Sequence, residues 1–442
     1  MLIPVSELLW GQPLERYANT YGILGAMRRE IHGNNPRQLA RAAVEKICYY
    51  AGSHEASLKP MDVVQKVSLE MLYAVFRMSH DPNTYDLFLS PGLASGCITL
   101  MAVKGDEKAS PFRYEYGYLC FRILLFSLGA SILTRLGDSH LKVVLKLMED
   151  PRYANCAISD IFSAQTAQLL SERMFSATHE ADCDWILGWE SHLSHPRSAQ
   201  IISRQKAKSL IDVLWEDRVD FLRAMRLTFT PVLAPLLFLN WRYACLENTS
   251  ASANSDTFRR AREIHWRCLL VVTSNQDNPV RKITDCFCVS LRFHPGKRST
   301  MFPKSQDSKE ILEAYISRLT PTNLAMYDPL FAPTLPPLLD LVTPNFEISV
   351  EDLLPTLFGV TINRLWEVLR VDNCTYDDAI LPIALTFEQI RVMFKLLREK
   401  YITRRTLALI LEQLVQRSFL DLIASLFLSL DPDAEENTGK ES

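Results

Sequence analysis

The sequence predicts an all-α fold, and three observations support that prediction. Apolar residues recur at helical spacing in one segment after another along the 442 residues. Many of these segments begin at Ser, Thr, Asp, Asn or Pro and end at Gly, the residues that favour the two ends of a helix. Only one passage, near 284–302, alternates apolar and polar side chains as a strand does. The expected fold is therefore helical, with one small β-hairpin as an alternative in that passage.

The composition is that of an ordinary globular protein. A chain of 442 residues is too long for one compact core, so it forms two or three domains or one elongated repeat array. Hydrophobic residues make up 48% and charged residues 22%, which excludes a disordered chain. The net charge of −3 gives no overall field that attracts nucleic acid or an anionic membrane. We therefore expect a protein or peptide partner and no nucleic acid.

Cysteine usage predicts a reducing compartment. The ten cysteines are scattered along the chain and include no Cys-x-x-Cys pair. A secreted disulfide scaffold has a denser and more regular set. The first residues, MLIPVSELLWGQPLERY, lack the basic start and apolar stretch of a secretory signal. These features together predict a cytoplasmic or nuclear protein.

The most apolar segment, 110–136, is the helix around which the others are expected to pack. Ser110 is a candidate N-cap, Pro111 suits the first helical position, and Gly137 marks the end. A shorter amphipathic helix at 138–149 is expected to fold back on it. The two helices together form a predicted core hairpin.

This segment is also the one to test for a membrane span. Arg122 interrupts it, and the longest run free of charge is 123–134. That run is shorter than the ~20 residues that cross a bilayer, and a central Arg costs roughly 2.5–3.5 kcal/mol on insertion. We therefore predict a buried core helix and no membrane span.

Further helices are expected on both sides of this hairpin. Before it, one begins at Pro36 and another covers 61–79. After it, a long helix is expected from Pro196 to Met225, and Thr386 with Gln389 forms the capping-box pattern of a later one.

The passage near 284–302 fits two structures. Phe287, Val289 and Leu291 alternate with polar or small residues, which favours a strand. Ile283, Phe287 and Leu291 are also spaced as on one side of a helix. A small β-hairpin and a helix both remain open.

The segment 72–101, LYAVFRMSHDPNTYDLFLSPGLASGCITLM, resembles the junction between two armadillo-type repeats. A long helix ends in a polar turn, a short helix begins at Asn83, and Gly92 allows a sharp corner before an apolar helix. The long helix after Pro111 completes a three-helix unit. A more divergent copy lies at 311–342, with proline in place of glycine at the corner. The resemblance implies a degenerate armadillo-like α-α superhelix, in which each helix pair buries its apolar side against the next.

A second resemblance concerns the segment 112–124, FRYEYGYLCFRIL. It is similar to uncharacterised fungal helical proteins, some of which end in a MYND-type zinc finger. This chain has no paired Cys-x-x-Cys motif, so it lacks the finger.

Domain boundaries follow from one polar stretch. The residues NTSASANSD at 248–256 are small, with one charge, and are the best linker in the chain. The predicted organisation is an armadillo-like helical domain at 1–247, the linker at 248–256, a second helical block at 257–430 that continues the solenoid, and a disordered acidic tail at 431–442.

The residues most suited to a metal are His179, Cys183, His192 and His195. His179 and Cys183 are four apart, so a helix would place both on one side, and His192 and His195 are one turn apart. The standard zinc spacings Cys-x-x-Cys and His-Glu-x-x-His are absent, and a solvated polar loop gathers the same residue types. We expect no cofactor, and these four residues are the candidate ligands of the alternative interpretation.

Two other motifs lack the partners that their chemistry requires. Ser203 and Lys206 have the Ser-x-x-Lys spacing of serine acyl enzymes, without the companion motifs. Asp377 and Asp378 lack the third carboxylate of a terpene-cyclase magnesium site.

The predicted function is therefore a non-catalytic protein-interaction scaffold. Its partner protein or peptide is expected to lie along a groove of stacked helices. The alternative is an all-α metal-dependent enzyme centred on 179–195.

Overall fold

The computed structural model is all-helical. It describes residues 5–22, 36–53, 58–103, 110–149, 158–177, 180–190, 199–250, 256–293, 305–324, 326–370, 380–399 and 402–429. Those ranges contain α-helices and short 3-10 turns, and the extended pairing within them is one isolated bridge between Pro13 and Tyr114. The chain divides into two compact units, Met1–Lys297 and Arg298–Ser442.

The first unit contains fourteen described α-helices. In chain order they are α1 Val5–Trp10, α2 Leu14–Tyr21, α3 Pro36–Tyr49, α4 Pro60–Lys66, α5 Leu69–Met78, α6 Leu93–Ala102, α7 Glu115–Leu136, α8 Asp138–Glu149, α9 Ile158–Ser176, α10 Arg204–Glu216, α11 Arg218–Leu227, α12 Leu233–Ser250, α13 Asp256–Leu269 and α14 Asp277–Phe293. Longer 3-10 segments lie at Pro82–Leu89 and Glu180–Leu187.

Helix α7 lies at the centre of the first unit. It contacts α1, α5, α6, α8, α9 and α12, so its apolar side chains are covered on all sides. By length and composition α7 qualifies as a membrane span, and 78% of that apolar window is buried inside the protein. Its one central charge, Arg122, donates hydrogen bonds to the Tyr118 hydroxyl (2.8 Å) and the Phe229 carbonyl (2.7 Å). This is the structure of a core helix, as the interrupted apolar run predicts.

The beginning of α7 differs from the prediction, and its end agrees. The helix begins at Glu115. The Ser110 hydroxyl accepts from the Arg113 amide (3.1 Å), as an N-cap does, but it closes only a single turn, and it donates to the Asp217 carboxylate (2.5 Å). Tyr114 pairs with Pro13 in the isolated bridge, which holds the backbone extended up to Glu115. Gly137 ends the helix as predicted, and α8 packs against α7.

Two other predicted helices are each divided. The helix predicted at 61–79 is two helices, because the Ser68 hydroxyl accepts a hydrogen bond from the Met71 amide and caps α5. The helix predicted from Pro196 begins at Arg204, where Ser203 is the N-cap, and it breaks again at Asp217.

The corner at Gly92 is confirmed. Gly92 has a φ of +91°, a left-handed conformation that favours glycine, and α6 starts immediately after it. Four residues later Gly96 allows α6 to approach α3 closely: a Cβ at Gly96 would lie 2.1 Å from the Ile47 carbonyl oxygen. The local layout at 72–101 therefore has the predicted shape.

The armadillo-like repeat arrangement itself is not confirmed. A solenoid repeat contacts only its neighbours in sequence. Here α2 packs on α11 and α6 packs on α10, although each pair is far apart in the chain. Helices from several parts of the sequence thus surround α7.

The passage near 284–302 is helical as far as the structure describes it. Residues 284–293 belong to α14, so the hairpin alternative is wrong there. Phe287 packs at 5.4 Å, centroid to centroid, against Phe258 of α13. The apolar side chains at helical spacing decide the structure, because they meet a neighbouring helix. Residues 294–302 lie outside the described residues, as does the tail at 431–442.

The division between the units lies at 297/298, later than the predicted linker at 248–256. Residues 248–250 form the last turn of α12, and Asp256 begins α13. These two helices pack against each other, so both belong to the first unit.

The second unit contains six described α-helices. They are α15 Ser305–Leu319, α16 Leu335–Val342, α17 Leu354–Leu369, α18 Leu381–Glu399, α19 Arg404–Gln416 and α20 Phe419–Ser429. Helix α17 contacts α15, α19 and α20, and α18 packs on α16. Thr386 lies inside α18, where its hydroxyl donates to the Pro382 carbonyl (2.8 Å), so the predicted capping box is not a helix start.

Candidate functional site: the outer face of helices α19 and α20

Three of the four predicted metal ligands, His179, His192 and His195, lie outside the described residues. The fourth, Cys183, is described and is 2% exposed. Within the part of the chain that the structure describes, no group of three or more His, Cys, Asp or Glu side chains could hold a metal ion. Cys183 alone makes no site.

An ion pair beside Cys183 joins this segment to α12. The buried carboxylate of Asp184 accepts a hydrogen bond from Nε of Arg242 at 2.6 Å. The guanidinium lies 4.6 Å from the ring centroid of Trp241. Asp184 thus neutralises a buried arginine, which is a structural role.

The predicted Ser-x-x-Lys motif is also structural. The Ser203 hydroxyl accepts a hydrogen bond from the Lys206 amide (3.2 Å) as the N-cap of α10. The Lys206 ammonium donates to the Thr99 hydroxyl at 2.7 Å and so points away from Ser203. A serine nucleophile with a lysine base is therefore not formed.

Polar side chains at the start of α7 are satisfied by one another. The buried Glu115 carboxylate accepts from the Tyr21 hydroxyl (2.7 Å) and from the Gln12 amide (3.3 Å). A small cavity nearby, beside Trp10 and Tyr114, has a volume of about 20 Å³. That is room for one water, far below the ~300 Å³ of a small-molecule site. This cluster joins α2 to α7 and has no space for a substrate.

An exposed apolar surface lies in the second unit, on α19 and α20. Helix α19 is held to α17 near both ends. At its start, the Thr403 amide donates to Oε2 of Glu351 (3.2 Å). At its end, Arg417 donates to Oδ1 of Asn363 (2.8 Å), and the Trp366 indole donates to the Arg417 carbonyl (2.8 Å). These bonds fix which side of α19 faces the protein.

One exposed flank of α19 is apolar. Thr406 and Ile410 are buried against α17, whereas Leu407, Leu411 and Val415 are exposed. Those three residues are four apart, so they form one stripe along the outside of the helix. Their exposed fractions are 42%, 50% and 80%.

Helix α20 likewise has buried apolar residues on one side and exposed apolar residues on another. Leu422 and Leu426 are buried, while Leu420, Phe427 and Leu428 are 78%, 67% and 88% exposed. The chain turns between the two helices at Ser418, which has a left-handed φ of +50°. Seven large apolar side chains are exposed on the two helices, and Leu409, at 41%, lies on the other flank of α19 from Leu407 and Leu411. We call the remaining six the outer face: Leu407, Leu411, Val415, Leu420, Phe427 and Leu428.

Charged residues border the outer face. Arg404 and Arg405 lie in the first turn of α19, Glu412 lies in its middle, and Asp421 is the one charge within α20. Within the described residues neither arginine forms an ion pair. The apolar stripe is thus flanked by charges of both signs that are available to a partner.

Sequence reasoning predicted helices here and missed the face. The signal was present in FLDLIASLFLS, an 11-residue helix with a single charge and no clear polar side. Such a helix is normally buried all round, and only the tertiary structure shows that half of its apolar residues have no neighbour in the described chain.

No family model, no curated protein and no solved structure matches this chain.

Proposed function

We propose that this protein is a non-catalytic protein-interaction module and that the outer face of α19 and α20 is its binding surface. The observation behind the proposal is the exposure of six large apolar side chains, between 42% and 88%, on two adjacent helices. Single exposed apolar residues are normal, whereas a contiguous group of them is characteristic of a protein interface.

The rest of the described surface lacks such a group. In the first unit the large exposed apolar residues are spread over separate helices, and two of them have a cation near the ring. Lys66 lies 5.9 Å from the ring centroid of Tyr49, and Lys282 lies 5.3 Å from that of Phe175. The residues of the outer face instead belong to two helices that contact each other.

Burial of the outer face against a partner would favour binding. A fully buried Leu, Val or Phe side chain gains roughly 1.5–3 kcal/mol relative to an exposed one. The inner side of α19 is already fixed on α17, so binding does not require the helix to become ordered. A rigid apolar stripe is suited to a partner helix with its own apolar stripe.

The armadillo-like part of the proposal applies to the segment 72–136. The corner at Gly92 and the three-helix layout around it support that comparison. A cytoplasmic or nuclear location belongs to the same proposal, and the eight described cysteines are free thiols.

Chemical cross-linking with mass spectrometry tests the binding surface. The full chain is added to an extract of its source cells, and cross-links from the carboxylates of α19 and α20, Glu412 and Asp421, are identified. We expect cross-links to protein, either another chain or a second copy. Leu411→Arg should remove them, because a charge in the centre of the stripe cannot be buried without a partner.

Leu324→Arg is the matched control. Leu324 is 66% exposed, lies in the same unit and is not part of the outer face. This variant should keep the cross-links. If wild type and Leu411→Arg give the same set, the outer face is not a binding surface.

A further inference from the structure

We propose that Arg122 is an anion-binding site of the first unit and that it binds the carboxylate of a small organic acid. Arg122 lies on α7, where α5 and the connection between α11 and α12 meet that helix. Three observations support the site: Arg122 is buried without an acidic partner, one edge of its guanidinium is unused, and the charges that act on its neighbour His80 are positive. The site does not depend on the outer face.

Arg122 differs from the other buried arginines of the first unit. Within the described residues of that unit, three arginine side chains are buried. Arg242 pairs with Asp184 at 2.6 Å, and Arg267 pairs with Glu263 at 2.8 Å. Arg122 is 8% exposed and forms no ion pair with a described residue. Because arginine stays protonated in proteins, a buried guanidinium without a carboxylate is unfavourable, and an anion from solution would relieve this cost.

The hydrogen bonds of Arg122 use one nitrogen of its guanidinium. Nη1 donates both to the Tyr118 hydroxyl (2.8 Å) and to the Phe229 carbonyl (2.7 Å). The guanidinium carbon lies 5.0 Å from the ring centroid of Phe76. No described residue accepts a hydrogen bond from Nε or Nη2. These two nitrogens form an edge that can bind both oxygens of one carboxylate.

The charges near Arg122 also favour an anion. The His80 ring lies 5.6 Å from the Phe76 ring, centroid to centroid, so His80 and Arg122 contact the same aromatic side chain. Nε2 of His80 is buried without a hydrogen-bond partner. Burial, followed by the charges of Arg122 and Arg77, lowers the pKa of His80 to about 4, so this imidazole is neutral at pH 7. The charges that act on His80 are thus positive, and a bound anion would offset them.

Charge balance selects a carboxylate over a phosphate. With His80 neutral, Arg122 brings one positive charge into the site, and one carboxylate neutralises it. A phosphate group carries about −1.5 to −2 at pH 7 and would leave excess negative charge in a buried place. The small exposed fraction of Arg122 favours a small acid over a large one.

Titration of the full chain with acetate tests the site, with NMR of ¹³C-labelled histidine side chains as the measurement. The signal that is missing in His80→Gln is assigned to His80. At an ionic strength held constant with chloride, acetate should shift this signal with a dissociation constant on the order of 1–10 mM, because a ligand of so few atoms binds weakly. Inorganic phosphate at the same concentrations should shift it much less.

Three variants connect the shift to Arg122. Arg122→Met keeps an unbranched side chain without the charge and should abolish the shift. Arg122→Lys keeps the charge without the bidentate edge and should weaken acetate binding about 10-fold. Arg113→Met is the matched control: Arg113 is exposed just before α7, so its loss should leave the dissociation constant unchanged. Circular dichroism checks that each variant is folded, and Arg122→Lys decides if Arg122→Met is not.

Each contrary result overturns a stated part of the inference. A His80 signal that acetate does not shift overturns the site. Phosphate binding as tight as acetate binding overturns the assignment to a carboxylate. A shift that persists in Arg122→Met, or full affinity in Arg122→Lys, overturns the bidentate role of Arg122. The proposed function is tested separately, by cross-links at the outer face.

Discussion

Helices α7 and α20 are both strongly apolar, but α7 is buried on all sides whereas one side of α20 is exposed. Helix α7 has neighbours on every side, so even Glu115 and Arg122 are buried and hydrogen-bonded. Helix α20 contacts α17 and α19 on one side, and Leu420 and Leu428 on the other side are exposed. Apolar composition therefore does not decide burial. The number of neighbouring elements decides burial. A helix with more apolar side chains than its neighbours can cover presents a candidate binding surface.

The two units also differ in what they bury and what they expose. The first unit buries charged pairs and histidines, and all nine histidines of the sequence lie within residues 1–297. The second unit has no histidine and leaves the outer face open. We therefore expect mutations and pH to affect stability mainly in the first unit, and association mainly in the second.

The largest effect is expected from Asp184→Ala. This change leaves the Arg242 guanidinium buried without its carboxylate, which should lower the free energy of unfolding by about 3–5 kcal/mol. Urea unfolding followed by circular dichroism measures it, with a separate transition fitted for each unit. The matched control is Glu388→Ala, which removes an exposed ion pair with Arg391 in α18 and should leave the free energy of unfolding nearly unchanged. Equal losses for the two variants would contradict the structural role of the buried pair.

Replacing a buried leucine should cost more stability than replacing an exposed one. Leu124 in α7 is fully buried, so Leu124→Ala should cost about 3 kcal/mol through lost burial and a cavity. Leu411 in α19 is 50% exposed, so Leu411→Ala should cost less than about 1 kcal/mol under conditions in which the chain is monomeric. The same urea titrations measure both. A large loss for Leu411→Ala in the monomer would show that its side chain is part of the folded core.

Acid should destabilise the first unit through His265. Burial lowers the pKa of His265 to about 3, and its Nε2 lies 2.9 Å from the Thr284 hydroxyl. The unfolded chain binds a proton near pH 6.5 and the folded one does not. Stability should therefore fall as pH decreases from about 6.5 toward 3, by up to about 1.4 kcal/mol per pH unit.

Thermal unfolding between pH 7 and pH 4 measures this dependence. His265→Gln keeps a hydrogen-bonding side chain without a titrating ring, so its melting temperature should depend less steeply on pH than that of wild type. Buried His80, whose pKa is lowered to about 4, should keep a residual slope in that variant. An unchanged slope in His265→Gln would mean that His265 does not control the acid response.

The smallest effect is expected from Asp217, and it has the opposite sign. Burial raises the pKa of Asp217 to about 7, although Ser110 and Phe112 donate hydrogen bonds to it. Its contribution to stability is present below about pH 4 and is lost as pH rises toward 7. Asp217→Asn should therefore gain roughly 1 kcal/mol at pH 8 and nothing at pH 4. Differential scanning calorimetry at the two pH values tests it, and a gain of the same size at both would exclude titration as the cause.

Local signals predicted several elements correctly. Gly137 follows the end of α7 as predicted. Gly92 forms the corner before α6, because its φ of +91° is a conformation that favours glycine. Ser110 was predicted to begin a long helix. Its hydroxyl accepts from the Arg113 amide but closes a single turn, it also donates to Asp217, 107 residues later, and α7 begins at Glu115. The predicted boundary at 248–256 differs from the division at 297/298, and the helices on either side of it, α12 and α13, pack together.

The sequence alone determined the helical fold, the apolar side of most helices and the central position of α7. Those properties depend on residue spacing and on the chemistry of helix ends, which are local. Only the tertiary structure decided which apolar sides are covered. The residues Leu411 and Leu420 have the same pattern as core leucines in sequence, and they are exposed because the described chain places no element against them. Burial depends on contacts between distant segments, and spacing along one helix cannot specify those contacts.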